Sequence, residues 1–231
     1  MTLEHTIIRL SDNPEGFTDK VDDLTADMFE SAVPIQHSYD YVAEHDLGLY
    51  IGVWDTTDMI ETAAPYGMDE FMLLIEGAAV IKDNNTNTSE TILAGESFII
   101  PKGYDCQWQQ TGYLRKFYVI ADKACTKKVS LAPSKDGIVR FPATTVLGNS
   151  IYYKSADQQF ISGAFKGNIA DSPIASSVQR RFIYLKSGFV TLMDSNLTEY
   201  HFKAGDVFLL TGRQTFWRAS EEISHHYVEL S

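Results

Sequence analysis

The chain of 231 residues carries 31 Asp plus Glu against 19 Lys plus Arg, a formal net charge of −12, with 44 % hydrophobic and 12 % aromatic residues. This excludes the disordered and fibrous classes and leaves enough apolar surface for one or two globular domains. A pI near 4.8 argues against a surface that binds nucleic-acid phosphates. No apolar run approaches the ~20 residues of a membrane helix. The start, Met1-Thr-Leu-Glu-His-Thr-Ile-Ile, lacks the pattern of a secretory signal. With only Cys106 and Cys125, too few for a disulfide framework, the expected compartment is the cytoplasm.

The charge is uneven along the chain. Residues 1–70 hold sixteen acids and two bases, Arg9 and Lys20, netting −14, while the remainder nets +2. Asp19, Asp22, Asp23, Asp27 and Glu30 read as a solvated face of an acidic N-terminal arm over residues 1–40, the alternative being an acidic partner-binding patch. Helical periodicity shows only weakly there, over Asp22–Ser31. The runs Leu47–Trp54, Phe71–Ile75, Ala78–Lys82, Ser97–Pro101 and Lys116–Ala121 predict strands, being rich in β-branched and aromatic residues and bounded by Gly, Pro, Asn and Asp. Asp83-Asn-Asn-Thr-Asn-Thr88 has the composition of a hairpin loop. Lys123, Lys127, Lys128 and Lys135 gather in a linker over 123–151. Many short strands at regular spacing predict an all-β sandwich or barrel.

The strands repeat. Gly52-Val-Trp54 recurs as Gly163-Ala-Phe165, and Phe71-Met-Leu-Leu-Ile-Glu-Gly77 as Phe182-Ile-Tyr-Leu-Lys-Ser-Gly188, both at an offset of 111, which also relates Asp83 to Asp194. Ala94-Gly-Glu-Ser-Phe98 matches Ala204-Gly-Asp-Val-Phe208 at 110, and Trp108 and Tyr118 match Trp217 and Tyr227 at 109. Glycines, aromatics and spacing agree together, so the chain reads as a tandem duplication, with domains over 41–122 and 152–231.

The repeat unit resembles a cupin. Glu70-x6-Gly77 is similar to the end of the first cupin motif, Gly-x5-His-x-His-x3–4-Glu-x6-Gly. Gly95-x5-Pro101-x-Gly103 is similar to the start of the second, Gly-x5-Pro-x-Gly-x2-His-x3-Asn. Asp69-Glu70, Ile75-Glu-Gly77, Ile100-Pro-Lys-Gly103, Trp108 and Arg115-Lys-Phe-Tyr118 resemble the cupin-3 group (DUF861), which includes ethanolamine-utilisation Q-like and ureidoglycine aminohydrolase-like proteins. The resemblance implies two tandem antiparallel jelly-roll barrels of the RmlC-like kind, a bicupin, and frequently a dimer. For activity it is unspecific, because the fold carries many chemistries.

A cupin metal centre takes three His and one Glu, a set suited to Mn, Fe, Ni or Zn. Counted back from Glu70, the first two histidines belong at 63 and 65 or at 64 and 66, and the chain has Ala63 and Pro65 or Ala64 and Tyr66 there. The third position is Cys106. In the second repeat Arg181 replaces Glu70, and a guanidinium repels a cation, while the Pro-x-Gly turn becomes Thr211-Gly-Arg213. Of the six histidines, His5, His37 and His45 lie near the N-terminal arm and His201 in a predicted strand. His225 and His226 are adjacent in a strand, so they face opposite sides. No metal site and no cofactor is therefore expected; the alternative is a metal-dependent hydrolase of a small nitrogenous metabolite, resembling ureidoglycine aminohydrolase.

Alternation places Met72 and Leu74 on the face of Glu70, and Trp108 on the face of Cys106. Glu70, Trp54, Tyr66, Met72, Cys106, Trp108, Lys116 and Tyr118 are accordingly candidates to line a small-molecule cavity in the first repeat. Glu70, a carboxylate expected among aromatics, is the candidate general acid or base; the alternative is that it pairs with Lys116 or Arg115 and closes the barrel. Cys106 has no identifiable His partner and reads as an inert buried thiol. In the second repeat Arg180, Arg181 and Arg218 either receive a carboxylate or phosphate or pair with acids of the chain. A third reading is a non-catalytic regulatory or structural protein. Homodimerisation is expected, since sheet edges invite pairing and two-fold dimers are the commonest oligomers.

Overall fold

A computed structural model describes residues 6–122, 137–168, 180–194, 196–211, 216–219 and 221–231. Cys125, the four linker lysines, His5 and the turn following Thr211 lie outside the described residues. In chain order the first strands are β1 (Thr6–Leu10), β2 (Gln36–Glu44), β3 (Leu49–Thr56), β4 (Met59–Ile60), β5 (Ala64–Pro65) and β6 (Asp69–Glu76). Next come β7 (Ala78–Asp83), β8 (Ser89–Leu93), β9 (Ser97–Ile100), β10 (Asp105–Gln110), β11 (Leu114–Ala121), β12 (Val139–Arg140) and β13 (Gly148–Lys154). The last are β14 (Phe160–Gly167), β15 (Arg180–Ser187), β16 (Phe189–Met193), β17 (Glu199–Lys203), β18 (Val207–Thr211), β19 (Phe216–Ala219) and β20 (Ile223–Leu230).

The fold is all-β. Over Asp22–Ser31 only a three-residue 3-10 turn forms, Ala26–Met28, and it buries no residue; without an apolar stripe nothing holds a longer helix. No helix among the described residues is long and apolar enough to cross a membrane.

Two compact units divide the chain, residues 12–140 and residues 141–231 together with residues 6–11. The segment expected as an arm is thus built into both: β1 is an edge strand of the second unit, pairing with β18, and β2 is an edge strand of the first, pairing with β3. The first unit has a six-stranded sheet in the order β12-β9-β6-β11-β3-β2 and a five-stranded sheet, β4-β10-β7-β8 with β5 also on β10. Met72, Leu74, Phe98 and Ile100 from the former meet Met59, Ile81, Ile92, Cys106 and Trp108 from the latter in one apolar core. The second unit repeats the pattern with β1-β18-β15-β20-β14-β13 and the three-stranded β17-β16-β19. Among the described residues no sheet closes on itself.

Strand by strand, β9, β6, β11, β3 and β2 occupy the places of β18, β15, β20, β14 and β13, so the repetition in sequence is a repetition in structure. Its invariant residues have identifiable tasks. Asp83 Oδ1 accepts the N–H groups of Asn85 and Thr86 at 2.7 and 2.9 Å, and Asp194 Oδ1 those of Asn196 and Thr198, both at 2.9 Å. Each aspartate therefore closes its own hairpin. Gly52 and Tyr118 are cross-strand partners, as are Gly163 and Tyr227. A Cβ on Gly52 would stand 2.3 Å from the Tyr39 carbonyl oxygen and 2.4 Å from Tyr118 Oη; on Gly163 it would stand 2.1 Å from the Ser150 oxygen. The tyrosine of each repeat lies across the space its glycine leaves empty.

Candidate functional site

A cavity of about 330 Å³ opens in the first unit, lined by Trp54, Tyr66, Glu70, Lys116 and Tyr118 of the expected set, and by Gln36, Ser38, Asp40, Tyr50 and Glu61, among others. β6 and β11 are neighbours in the six-stranded sheet, and on β11 alternation turns Lys116, Tyr118 and Ile120 to the cavity while Phe117 and Val119 face away. The same rule on β3 presents Tyr50 and Trp54, with Gly52 between them leaving room for the Tyr118 ring. On the edge strand β2 it presents Gln36, Ser38 and Asp40.

At the centre, Lys116 Nζ lies 2.8 Å from Glu70 Oε1, both side chains almost wholly buried. Tyr66 donates its hydroxyl to the other carboxylate oxygen, Glu70 Oε2. The ammonium also stands 4.7 Å from the Trp54 ring centre, 4.9 Å from that of Trp108 and 3.2 Å from Met72 Sδ. The two indoles meet edge to face at 6.2 Å. Lys116 is thus held by a carboxylate, two π faces and a thioether, partners that suit a desolvated cation. Of the two pairings open in the sequence, Glu70 makes the one with Lys116, whereas Arg115 Nε donates to Tyr113 Oη at 2.8 Å.

Three members of the expected set do not line the cavity. Met72, Cys106 and Trp108 belong to the apolar core, because the inward face of a sandwich sheet is longer than the cavity and most of it packs against the opposite sheet. Trp108 Nε1 is satisfied by Gln110 Oε1 at 2.9 Å. Burial, with Glu61 and Asp105 nearby, pushes the Cys106 thiol up to about 12, so it stays protonated and inert near neutrality.

Sequence reading missed Glu61. It lies outside any predicted strand, but its backbone is pinned on both sides: its N–H donates to the Trp108 carbonyl at 2.9 Å, and Gln107 Nε2 donates to its own carbonyl at 2.9 Å. The side chain turns into the cavity. Burial raises its carboxyl to about 7, with the Lys116 charge opposing the shift and the Glu70 charge adding to it. The surroundings thus give the Glu61 carboxyl a raised proton affinity. Only the pairing of β4 and β5 with β10 brings Glu61 here. Tyr118 donates to Asp40 Oδ1 at 2.7 Å, and burial and this bond push its phenol well above the usual range.

The donor set does not suit the transition metal that the cupin resemblance implies. Cys106 faces Ala64 across the β5–β10 pair and carries its proton, and Tyr66 is committed to Glu70. The Glu70 carboxylate already holds an ammonium. Among the described residues no group of three or more His, Cys, Asp and Glu side chains could hold a metal ion.

In the second unit the matching positions carry different chemistry. Arg181 stands for Glu70, His225 for Lys116, Phe165 for Trp54. Arg181 Nη2 lies 3.2 Å from Glu229 Oε1 and its guanidinium carbon 4.6 Å above the Tyr227 ring, so of the two fates open to this arginine it adopts pairing with an acid. Arg218 is exposed. His225 packs against Phe165, Trp217 and Tyr227, and His226 against Phe141 and Tyr184, on opposite faces. Burial first, then Arg181, holds the His225 imidazole well below its ordinary range.

No protein-family model matches the sequence, and no curated protein does. Solved structures do match. A protein of unknown function from Pseudomonas syringae pv. tomato, of the DUF861 family, aligns with a TM-score of 0.69 at 15 % identity over 98 % of this chain and 100 % of its own. YlbA from Escherichia coli, also DUF861, gives 0.55 at 13 % identity over 99 % and 91 %. A cupin 2 conserved barrel domain protein from Leptotrichia buccalis gives 0.54 at 9 % identity over 88 % and 100 %. At such identities the likeness establishes the fold alone, which is that of the cupin proteins, DUF861 members among them.

Proposed function

We propose that the chain is a bicupin of two tandem antiparallel jelly-roll barrels. In this reading the first barrel holds a metal-independent pocket for a small organic molecule, and the second has lost the pocket and serves folding and association. The matching strand orders of the two units support the tandem arrangement. The observation that carries the pocket reading is the Lys116 ammonium 2.8 Å from Glu70, which puts a fixed organic cation against the carboxylate that a cupin of the usual kind gives to its metal. Glu70, Lys116 and Tyr66 form a rigid polar floor; Trp54 and Tyr118 shape the walls. If the bound molecule is turned over, the proton carrier is Glu61 and not Glu70, whose two oxygens are both engaged.

Metal analysis of protein purified without chelator tests this. Far less than one equivalent of Mn, Fe, Ni or Zn is expected. A stoichiometric metal that leaves on Glu70→Ala overturns the reading. We place the protein in the cytoplasm as a homodimer that binds neither nucleic acid nor membrane. Light scattering at micromolar concentration checks the dimer, and a mass near 25.9 kDa would refute it.

A further inference from the structure

The cavity of the first unit has a charge imbalance that its own ion pair does not remove. Three carboxylates line it, Asp40, Glu61 and Glu70, against the single ammonium of Lys116. Lys116 is taken by Glu70. Among the described residues Asp40 accepts only the neutral Tyr118 hydroxyl. The Glu61 carboxyl has no hydrogen-bond or ion-pair partner among the described residues, although its main chain is pinned on both sides. Exposure falls from Asp40, which is exposed, through the partly buried Glu61 to the buried Glu70. Asp22 adds a further acid beside Asp40, accepting the Ser38 hydroxyl at 2.7 Å and acting on the Tyr118 phenol. The acidity concentrated in residues 1–70 is thereby brought, in part, to the cavity.

We propose that this cavity binds a small organic cation, a protonated amine, whose nitrogen pairs with the Glu61 carboxylate while its carbon body lies against Trp54 and Tyr66. Acids near the entrance raise the local concentration of cations and repel anions. Aromatic faces stabilise a desolvated ammonium, as they already do for Lys116. A bare divalent ion is the poorer occupant, because Asp40 and Glu70 already hold partners of their own and, among the described residues, no third ligand joins Glu61. In the second unit Arg181 and His225 stand where Glu70 and Lys116 stand in the first, so the matching positions do not present the same charges.

This rests on the pocket reading above, and the test separates the two. n-Butylamine, 1-butanol and butyrate have nearly the same shape and differ in charge. Each is titrated into the full chain while tryptophan fluorescence is followed, Trp54 being in the cavity wall. Butylamine is expected to bind at least about 10-fold more tightly than either isostere. Glu61→Gln is expected to weaken the amine by about 10-fold or more and leave 1-butanol unchanged, with Glu61→Asp intermediate. Thermal melts of each variant show that it is folded. Butyrate or butanol binding as well as the amine, or amine affinity unchanged in folded Glu61→Gln, overturns the amine assignment and leaves the pocket reading standing. Binding by none of the three overturns both.

Discussion

Lys116→Met is expected to destabilise the protein by about 3–5 kcal/mol in urea unfolding, an effect on the scale of breaking a buried ion pair. Methionine keeps most of the lysine stem, so packing between Trp54 and Trp108 changes little. What is lost is the counter-charge of a carboxylate that is only 3 % exposed. Combining Lys116→Met with Glu70→Gln should recover most of the loss, since a neutral pair has no stranded charge. A single variant within 1 kcal/mol of the wild type, or a double variant no better than the single (both read from the same urea curves), would show that the pair does not hold this site together.

The second expectation concerns pH. Burial raises the Glu61 carboxyl from 4.5 to about 7, so the folded chain retains a proton that the unfolded chain releases. Its contribution is fully present below about pH 4.5 and is lost as pH rises through about 7, after which no further change is due to this group. Across that window the loss is on the order of 3 kcal/mol. Glu61→Gln removes the titration. It should therefore differ little from wild type at pH 5 and be the more stable protein at pH 8. Melting curves at the two pH values check it, and parallel pH profiles for the two proteins would exclude the assignment. A bound ammonium should offset the same penalty, so an amine ligand should raise the wild-type melting temperature more at pH 8 than at pH 5.

The recurrence of one strand order in the two units was readable because its residues are fixed by local geometry. Asp83 and Asp194 close hairpins, and the Gly52–Tyr118 and Gly163–Tyr227 pairs need an aromatic ring over a residue without a side chain. Such requirements recur at constant spacing, and spacing is what a sequence displays. Period-2 alternation likewise put Glu70 and Met72 on one face and Cys106 and Trp108 on another inward face. It could not say how far along that face the cavity extends, which is why Met72, Cys106 and Trp108 prove to be core. Alternation carries orientation, and depth depends on what the opposite sheet contributes.

Glu61 marks the opposite limit. No motif or periodicity singles it out; it becomes a cavity residue only because the two-residue strands β4 and β5 dock on β10. The segment read as an acidic arm is a similar case. β1 and β2 are edge strands whose pairing partners lie far away in the chain for β1 and across a bulge for β2, so their local pattern is weak. The all-β class and the recurrence of residues at constant offsets were legible in the sequence, because both follow from residue type and spacing. The choice of Lys116 over Arg115 as the partner of Glu70, the placing of the Glu61 carboxyl at the cavity, and the convergence of acids there were decided by tertiary structure. Charge pairing depends on distances between strands that are remote in the chain, and those distances exist only once the sheets have formed.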